Sequence, residues 1–398
     1  MDHQEYMRRA ISLAKKGAGW TNPNPMVGAV IVKDGRIIGE GYHRKCGELH
    51  AERNAFAALK ESAKGASMYV TLEPCCHYGR TPPCTEAILE HGISEVYIGS
   101  RDPNPLVSGK GARILREHGV KVTQDFLKEE CDALNPVFFH YITTGLPYVV
   151  MKYAMTLDGK IASHTGASKW ITGEAARSHV HRLRSRYSVI MAGIGTVLAD
   201  DPMLNCRLSR CSERGKAEEI DSPHQPLRVI VDSHLRIPLD SRICRTAYEY
   251  PTVVACTDPH REKAEQLEQL GIQVLSFPDC SKKENDFFRD RSHPCNDHVN
   301  LRALLQWLGE QKYDSVLMEG GGTLHEAALQ AGIVNHVCAY ISPKILGGKD
   351  AKTPVEGIGA AAPDLAAQLK NLQIIPLGED LLLCYDIEGG MNNVYWNC

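Results

Sequence analysis

SMYVTLEPCCHYGRTPPCTEAILE, residues 67–90, decides the fold. It reads as a strand over 67–72, a loop forced by Pro74, Gly79, Pro82 and Pro83, and a helix over about 84–91. A strand at 94–99 follows. Upstream, residues 3–17 suggest a helix with Tyr6, Met7, Ala10, Ile11 and Ala14 on one face. The apolar runs Val27–Val32 and Ile37–Tyr42 flank Lys33-Asp34-Gly35-Arg36, and Asp-Gly between such runs predicts a hairpin. A helix over 51–63, a helix over 110–118 and a strand over 120–123 complete the alternation, which implies an α/β layer fold.

The turn-rich Thr143-Thr144-Gly145-Leu146-Pro147 marks a domain boundary, giving domains 1–146 and 147–398. A strand-like run, Tyr148–Ala154, opens the second. Helices are expected there at 174–186, 260–269, 300–311 and 323–331. Strands are expected at 187–192, 227–231, 252–256, 272–275, 314–318 and 334–341. The polar stretches 209–225 and 279–299 read as long surface loops.

A chain of 398 residues suits two domains. Hydrophobic residues make up 43% and charged residues 23%, which excludes wholesale disorder. A net charge of −3 gives no global basic field for nucleic acid or anionic membranes. The first twenty residues read as an amphipathic helix and not a signal peptide. No apolar run reaches the ~18–20 residues that span a bilayer. A soluble, cytoplasmic protein is expected. Most of the 14 cysteines, Cys131, Cys206, Cys244, Cys256, Cys338 and Cys384 among them, are scattered singly and read as core thiols. Cys75, Cys76 and Cys84 form the one cluster.

That cluster follows Leu49-His50-Ala51-Glu52-Arg53. One imidazole and two thiolates make a three-ligand zinc site with the fourth position open, the arrangement of catalytic sites. Cys75, in the Pro-Cys position, is preferred to Cys76 as ligand beside His50 and Cys84. Residues two apart on a helix diverge by about 200°, so His50 and Glu52 can serve one site only at its very first turn. Glu52 is then a proton carrier, taking a proton and passing it to a leaving amine. H-x-E plus Pro-Cys is the signature of zinc deaminases. The x₈ spacing between the cysteines departs from the generic x₂, and Arg80 in the inserted loop offers a cation to an anionic substrate.

In the second half, Met318-Glu319-Gly320-Gly321-Gly322-Thr323-Leu324-His325 lies between a strand and a helix, where backbone N–H groups can approach a pyrophosphate. It is not a Rossmann fingerprint, because His325 stands where the third glycine belongs. Gly193-x-Gly195-x-x-Leu198 fails at the same place. Two such loops suggest a non-Rossmann nucleotide domain.

The chain resembles the bifunctional deaminase–reductase family of riboflavin biosynthesis over nearly its whole length. The carrying motifs are Thr21-Asn22-Pro23-Asn24-Pro25-Met26-Val27-Gly28, His50-Ala51-Glu52-Arg53, Pro74-Cys75 through Cys84, Lys152 through Ala162, Gly193 through Pro202 and Glu319-Gly320-Gly321-Gly322. The x₈ spacing is that family's own. The resemblance implies a cytidine-deaminase-like three-layer domain followed by a dihydrofolate-reductase-like α/β domain. It implies zinc-dependent deamination of 2,5-diamino-6-ribosylamino-4(3H)-pyrimidinone 5′-phosphate. NADPH-dependent reduction of the ribosyl chain to ribityl would follow. Asn24 and His43 would orient the pyrimidine, and Arg80 would meet the phosphate. Ala154, Trp170, Thr196, Asp200, Ser233 and Gly321, Gly322, Thr323, Leu324 and His325 would line the NADPH site. Ser168, Arg184, Leu204, Arg207 and Glu319 would line the ribose-phosphate site. Arg184 and Arg207 have the forked donors that suit a phosphate. Glu319 and Lys152 are candidates to polarise or protonate the opened sugar. A homo-oligomer acting on a small molecule is expected.

Two competitors share parts of this pattern. A nucleic-acid deaminase would have x₂ spacing and a basic surface. A zinc-stabilised binding protein would not need Glu52 or an open coordination position.

Overall fold

The computed structural model describes residues 2–79, 82–104, 107–208, 223–279 and 296–388. Its chain divides into two compact units, Met1–Gly145 and Leu146–Cys398.

The first unit runs α1 (His3–Ala14), β1 (Gly28–Lys33), β2 (Arg36–Tyr42), α2 (Ala51–Ala57), β3 (Ser67–Leu72), α3 (Cys84–Glu90), β4 (Glu95–Ser100), α4 (Lys110–Glu117), β5 (Lys121–Thr123), α5 (Lys128–Asp132) and α6 (Pro136–Thr144). The hairpin turn forms at Asp34 and Gly35, both with positive φ, as a tight two-residue turn requires. The sheet order is β2-β1-β3-β4-β5, with β1 antiparallel to both neighbours and β3, β4 and β5 parallel. Period-two alternation sends Ala29, Ile31, Met68, Val70, Val96 and Ile98 to one face, under α2, α3 and α4. Val30, Val32, Tyr69 and Tyr97 face the other way, under α1 and the segment around Cys131. Three layers result. Gly41 lets β2 approach α2 closely: a Cβ there would sit 2.4 Å from the Ala51 carbonyl oxygen.

The helix expected over 51–63 stops at Ala57. Beyond it, Lys33 donates to the Ser62 carbonyl and Gly65 to the Gly92 carbonyl, so the segment is held by distant partners. Within the turn-rich boundary segment, Thr143 and Thr144 end α6 and the turn is made at Gly145, a left-handed cap at φ 71°, where the two units divide.

The second unit runs β6 (Tyr148–Thr156), α7 (Glu174–Arg186), β7 (Val189–Gly193), α8 (Ile194–Asp200), β8 (Leu227–Val231), α9 (Arg242–Arg245), β9 (Thr252–Cys256), α10 (Arg261–Gln269), β10 (Ile272–Ser276), β11 (Pro278–Asp279), β12 (Asn296–Val299), α11 (Leu301–Glu310), β13 (Ser315–Met318), α12 (Gly322–Gln330), β14 (His336–Ser342), β15 (Leu369–Leu377) and β16 (Asp380–Ile387). Nine strands form one sheet in the order β10-β9-β8-β7-β13-β6-β14-β16-β15. It is parallel from β10 to β14, and β16 and β15 add antiparallel. One face packs on α11 and α12. The other packs on α8, α9 and α10 at one end and on α7 at the other. Part of the expected 279–299 loop is ordered as β12, which pairs with β11; residues 209–222 and 280–295 lie outside the described residues.

Candidate active sites

His50 is the N-cap of α2, with extended backbone (φ −70°, ψ 164°), and Glu52 lies in that helix's first turn. Cys84 opens α3. One donor atom each from His50, Cys75 and Cys84 lies within 4.8 Å of the others. His50 Nδ1 is 3.4 Å from each of the two sulfurs. A tetrahedral ion about 2.3 Å from sulfur and about 2.0 Å from nitrogen spans such an edge at about 3.5 Å, so the donors fit zinc in type and spacing. Cys76 is not in the cluster.

The two neighbouring thiols shift one another in opposite directions. Cys75 is lowered to about 4, first by its bond with the Cys84 thiol and then, against burial, by His50. Cys84 is correspondingly pushed up. Cys75 also accepts from the Cys84 backbone N–H at 3.3 Å, a donor at the start of α3. Glu52 is 3% exposed, and burial pushes its carboxyl above the usual range. Such a carboxyl can hold a proton and release it to a stronger base.

Asn24 and His43 converge beside this cluster. His43 Nδ1 is 3.1 Å from the Leu49 carbonyl, which can only accept, so Nδ1 carries the proton. Nε2 is then the acceptor for the Asn24 amide at 3.3 Å. Burial lowers His43, keeping it neutral, and its ring meets that of His50 edge-on at 5.6 Å. Arg80 lies outside the described residues.

Two supporting groups gave no readable signal of their role in the sequence. Arg53 donates to the Pro82 and Pro83 carbonyls and so ties the returning loop to α2. Glu73 accepts from the Gly109 and Ala112 N–H groups at the start of α4. Gly111 packs there so closely that a Cβ would sit 2.2 Å from the Pro74 carbonyl oxygen. Together they fix the strand end from which Cys75 projects. These partners lie about thirty residues or more away, where no local pattern reaches.

In the second unit, the glycine turns after the adjacent parallel strands β7 and β13 lie side by side at the carboxyl edge of the sheet. Chain order reverses here, since β13 inserts between β7 and β6. Ligands of open α/β sheets bind outside the strand ends at such points. Gly320 and Gly321 have φ of 149° and 85°. A Cβ on Gly195 would meet nothing within 4 Å, whereas one on Gly320 would sit 2.9 Å from Thr196 Oγ1. Gly195, in the first turn of α8, is thus open above its backbone, while Gly320 packs against Thr196.

Several residues in this region have their side chains engaged. Leu324 packs into the core, and His325 is 2% exposed with Nδ1 2.8 Å from the Pro354 carbonyl oxygen. Their side chains thus pack into the protein. A Cβ on Gly322 would meet Glu356 Cγ at 2.5 Å, so that glycine accommodates the protein itself. Thr323 is exposed, Ala154 is half-buried, and Ser233 follows β8 with its carbonyl held by Thr257. Ser168 donates to Asp200 at 2.6 Å. Trp170 is 65% exposed rather than core, with Arg177 over its ring at 4.7 Å.

Glu319 is the centre of the charged group. Arg184 donates to both of its oxygens, at 2.6 and 2.8 Å, and Lys152 Nζ is 3.6 Å away. Arg184 also donates to the Asn205 carbonyl, so three of its five N–H groups are engaged within the protein. Arg207 is exposed and donates to the Asn205 side-chain oxygen. Leu204 has its side chain in the core. Burial lowers Lys152, an effect Glu319 opposes.

Residues 1–100 match the family described as "Cytidine and deoxycytidylate deaminase zinc-binding region", and residues 147–383 match "RibD C-terminal domain". The chain is 54% identical to riboflavin biosynthesis protein RibD of Actinobacillus pleuropneumoniae, over 97% of this chain and 95% of that one. It is 39% identical to the Escherichia coli protein of that name, over 96% and 99%. Among solved structures it is similar to Acinetobacter baumannii RibD, with a TM-score of 0.81 and 38% identity over 97% and 98% of the chains. A Thermotoga maritima diaminohydroxyphosphoribosylaminopyrimidine deaminase/5-amino-6-(5-phosphoribosylamino)uracil reductase gives a TM-score of 0.77 and 37% identity over 97% and 98%.

Proposed function

The chain belongs to the RibD family of riboflavin-biosynthesis deaminase–reductases, and from that premise we propose how its own residues divide the two reactions. It is a bifunctional enzyme. It deaminates 2,5-diamino-6-ribosylamino-4(3H)-pyrimidinone 5′-phosphate and then reduces the ribosyl chain with NADPH, giving 5-amino-6-(ribitylamino)uracil 5′-phosphate.

In the first unit, His50, Cys75 and Cys84 hold zinc, which when bound supplies an activated water. Asn24 and His43 orient the pyrimidine, the neutral ring of His43 being locked by Leu49. Glu52 takes the proton of the attacking water and delivers it to the departing nitrogen, so that water and amine become carbonyl and ammonia. In the second unit, Gly195, Gly320 and Gly321 open the strand edge to NADPH, with Thr196, Ser233, Asp200 and Trp170 around it. Bound NADPH supplies the hydride. Lys152, held by Glu319, is the proton source beside the opened sugar. Arg207 meets the phosphate, and Arg184 positions Glu319.

Glu52, buried in the first turn of α2 beside its N-cap His50, one of the His-Cys-Cys donors, carries the deaminase assignment. Its presence favours chemistry over a merely structural zinc site, which would have no use for a buried carboxyl. The purified protein, given the diaminopyrimidine phosphate, should release ammonia without NADPH. With NADPH it should yield a product heavier by two further hydrogens. Consumption of NADPH without ammonia release would refute the order of steps.

A homo-oligomer is also proposed. The edge strand β15 exposes Leu369, Leu372, Ile374 and Ile375, an apolar edge that pairing with another copy would cover. Light scattering showing a monomer at micromolar concentration would oppose this. A cytoplasmic site of action is proposed as well; among the described residues no helix is long and apolar enough to cross a membrane.

A further inference from the structure

We propose that the second unit carries a metal site of its own, built from His336, Cys338 and Cys384 and suited to a thiophilic divalent ion such as zinc. β14 and β16 pair antiparallel, with His336 opposite Asp386 and Cys338 opposite Cys384. Alternate residues of a strand share a face, so these four side chains form a square on one face of the sheet. Cys338 and Cys384 pack there with Leu183 of α7.

One donor atom each from His336, Cys338 and Cys384 lies within 4.8 Å of the others. The two sulfurs are 3.8 Å apart. Two thiolates about 2.3 Å from a tetrahedral ion are separated by about that distance. It is nearly twice a disulfide bond of about 2.05 Å. Asp386 Oδ1 lies 2.8 Å from His336 Nδ1, which fixes the ring and leaves Nε2 as the nitrogen available to an ion. A carboxylate behind a ligating histidine is the usual outer partner in zinc sites. The other Asp386 oxygen accepts from the Asn371 side chain at 2.9 Å, so the carboxylate is held in place behind the ring. Two thiolates and an imidazole favour zinc over the hard cations magnesium and calcium.

The side chains of His336 and Asp386 are 22% and 18% exposed, while the cysteines are 4% and 8% exposed. An ion would enter past the histidine and end against the sheet. It would clamp β16 to β14, and Cys338 is in turn the ladder partner of Lys152 on β6. The site thus braces the strand that presents a residue of the reductase centre.

The full-length protein, reconstituted with zinc sulfate and desalted, is expected to hold two zinc ions per chain by elemental analysis. Cys84→Ser should hold one. Cys338→Ser/Cys384→Ser should also hold one, and still deaminate. Should the double variant fail to fold, Cys84→Ser loaded with cobalt reads the same site through its thiolate charge-transfer absorption. Asp386→Asn in that background should weaken cobalt binding by about 10–100-fold. One zinc in the wild type and none in Cys84→Ser overturns the proposal. So does a Cys338–Cys384 disulfide in protein purified without oxidant, seen by mass spectrometry of non-reduced peptides.

Discussion

Glu319→Gln keeps the volume of the buried side chain and removes its charge. The side chains of Glu319, Arg184 and Lys152 are 4%, 12% and 13% exposed, so the two cations would be left unpaired with little water to replace the carboxylate. Breaking a buried pair by removing one partner costs about 3–5 kcal/mol. Proton linkage gives a second route to the magnitude. Burial pushes Glu319 up, but Arg184 and then Lys152 more than offset it and hold the carboxyl at about 2, against an ordinary 4.5. That difference corresponds to about 3 kcal/mol. A unit of this size loses roughly 2–4 °C of Tm per kcal/mol, so the drop should be about 6–12 °C. Calorimetry of the full chain at pH 7 tests it, reading the transition that NADPH raises. Because the folded-state pKa is lowered, the contribution is complete above about 4.5 and is lost as pH falls from there towards 2. Wild type and variant should therefore converge in acid. Arg184→Met added to Glu319→Gln should recover part of the loss, since one unpaired cation has gone. A drop under about 2 °C at pH 7, far below the range expected of a buried pair, would refute the reasoning: water would then be screening the group.

Glu52→Gln should retain zinc and lose ammonia release by about 10²–10⁴-fold, because the ligands remain and the proton carrier is gone. Deamination at the wild-type rate would reassign that role. Cys84→Ser should lower zinc content at the first site, and unchanged zinc there would move the ligand elsewhere. Gly195→Val should weaken NADPH binding in a fluorescence titration while leaving deamination intact, because its side chain enters space that no protein atom fills. Unchanged NADPH affinity would place the pyrophosphate elsewhere. Residues 1–146 alone should deaminate, and residues 147–398 alone should bind NADPH and reduce the deaminated product. A folded, zinc-loaded first fragment without activity would show that the first reaction needs residues of the second unit.

Local chemistry was written plainly in the sequence. His50 and Glu52 fall in one helical turn because the helix starts where the His-Ala-Glu stretch begins. The hairpin at Asp34-Gly35 needs only its own two residues. Strands buried on both faces announce themselves as apolar runs, and β7, β8 and β9 were legible for that reason. Elements without a buried face of their own were not. β15 is an edge strand exposed nearly throughout and interrupted by Pro376, so it has no period-two signal. α6, rich in aromatic and β-branched residues, is decided by Pro136 at its start and Gly145 at its end.

What tertiary structure alone decided is which distant side chains meet. The fork of Arg184 suited a phosphate on paper, and only the folded chain places Glu319 between its donors. Cys338 and Cys384 stood 46 residues apart and read as isolated core thiols, with a histidine and an aspartate that carried no motif. The register of two antiparallel strands brings all four onto one face. Register follows from which faces are buried along the whole sheet, and a one-residue slip would send these side chains to the opposite face. Spacing along the chain can state what a helical turn or a tight hairpin will do. It cannot state a pairing set by the packing of nine strands.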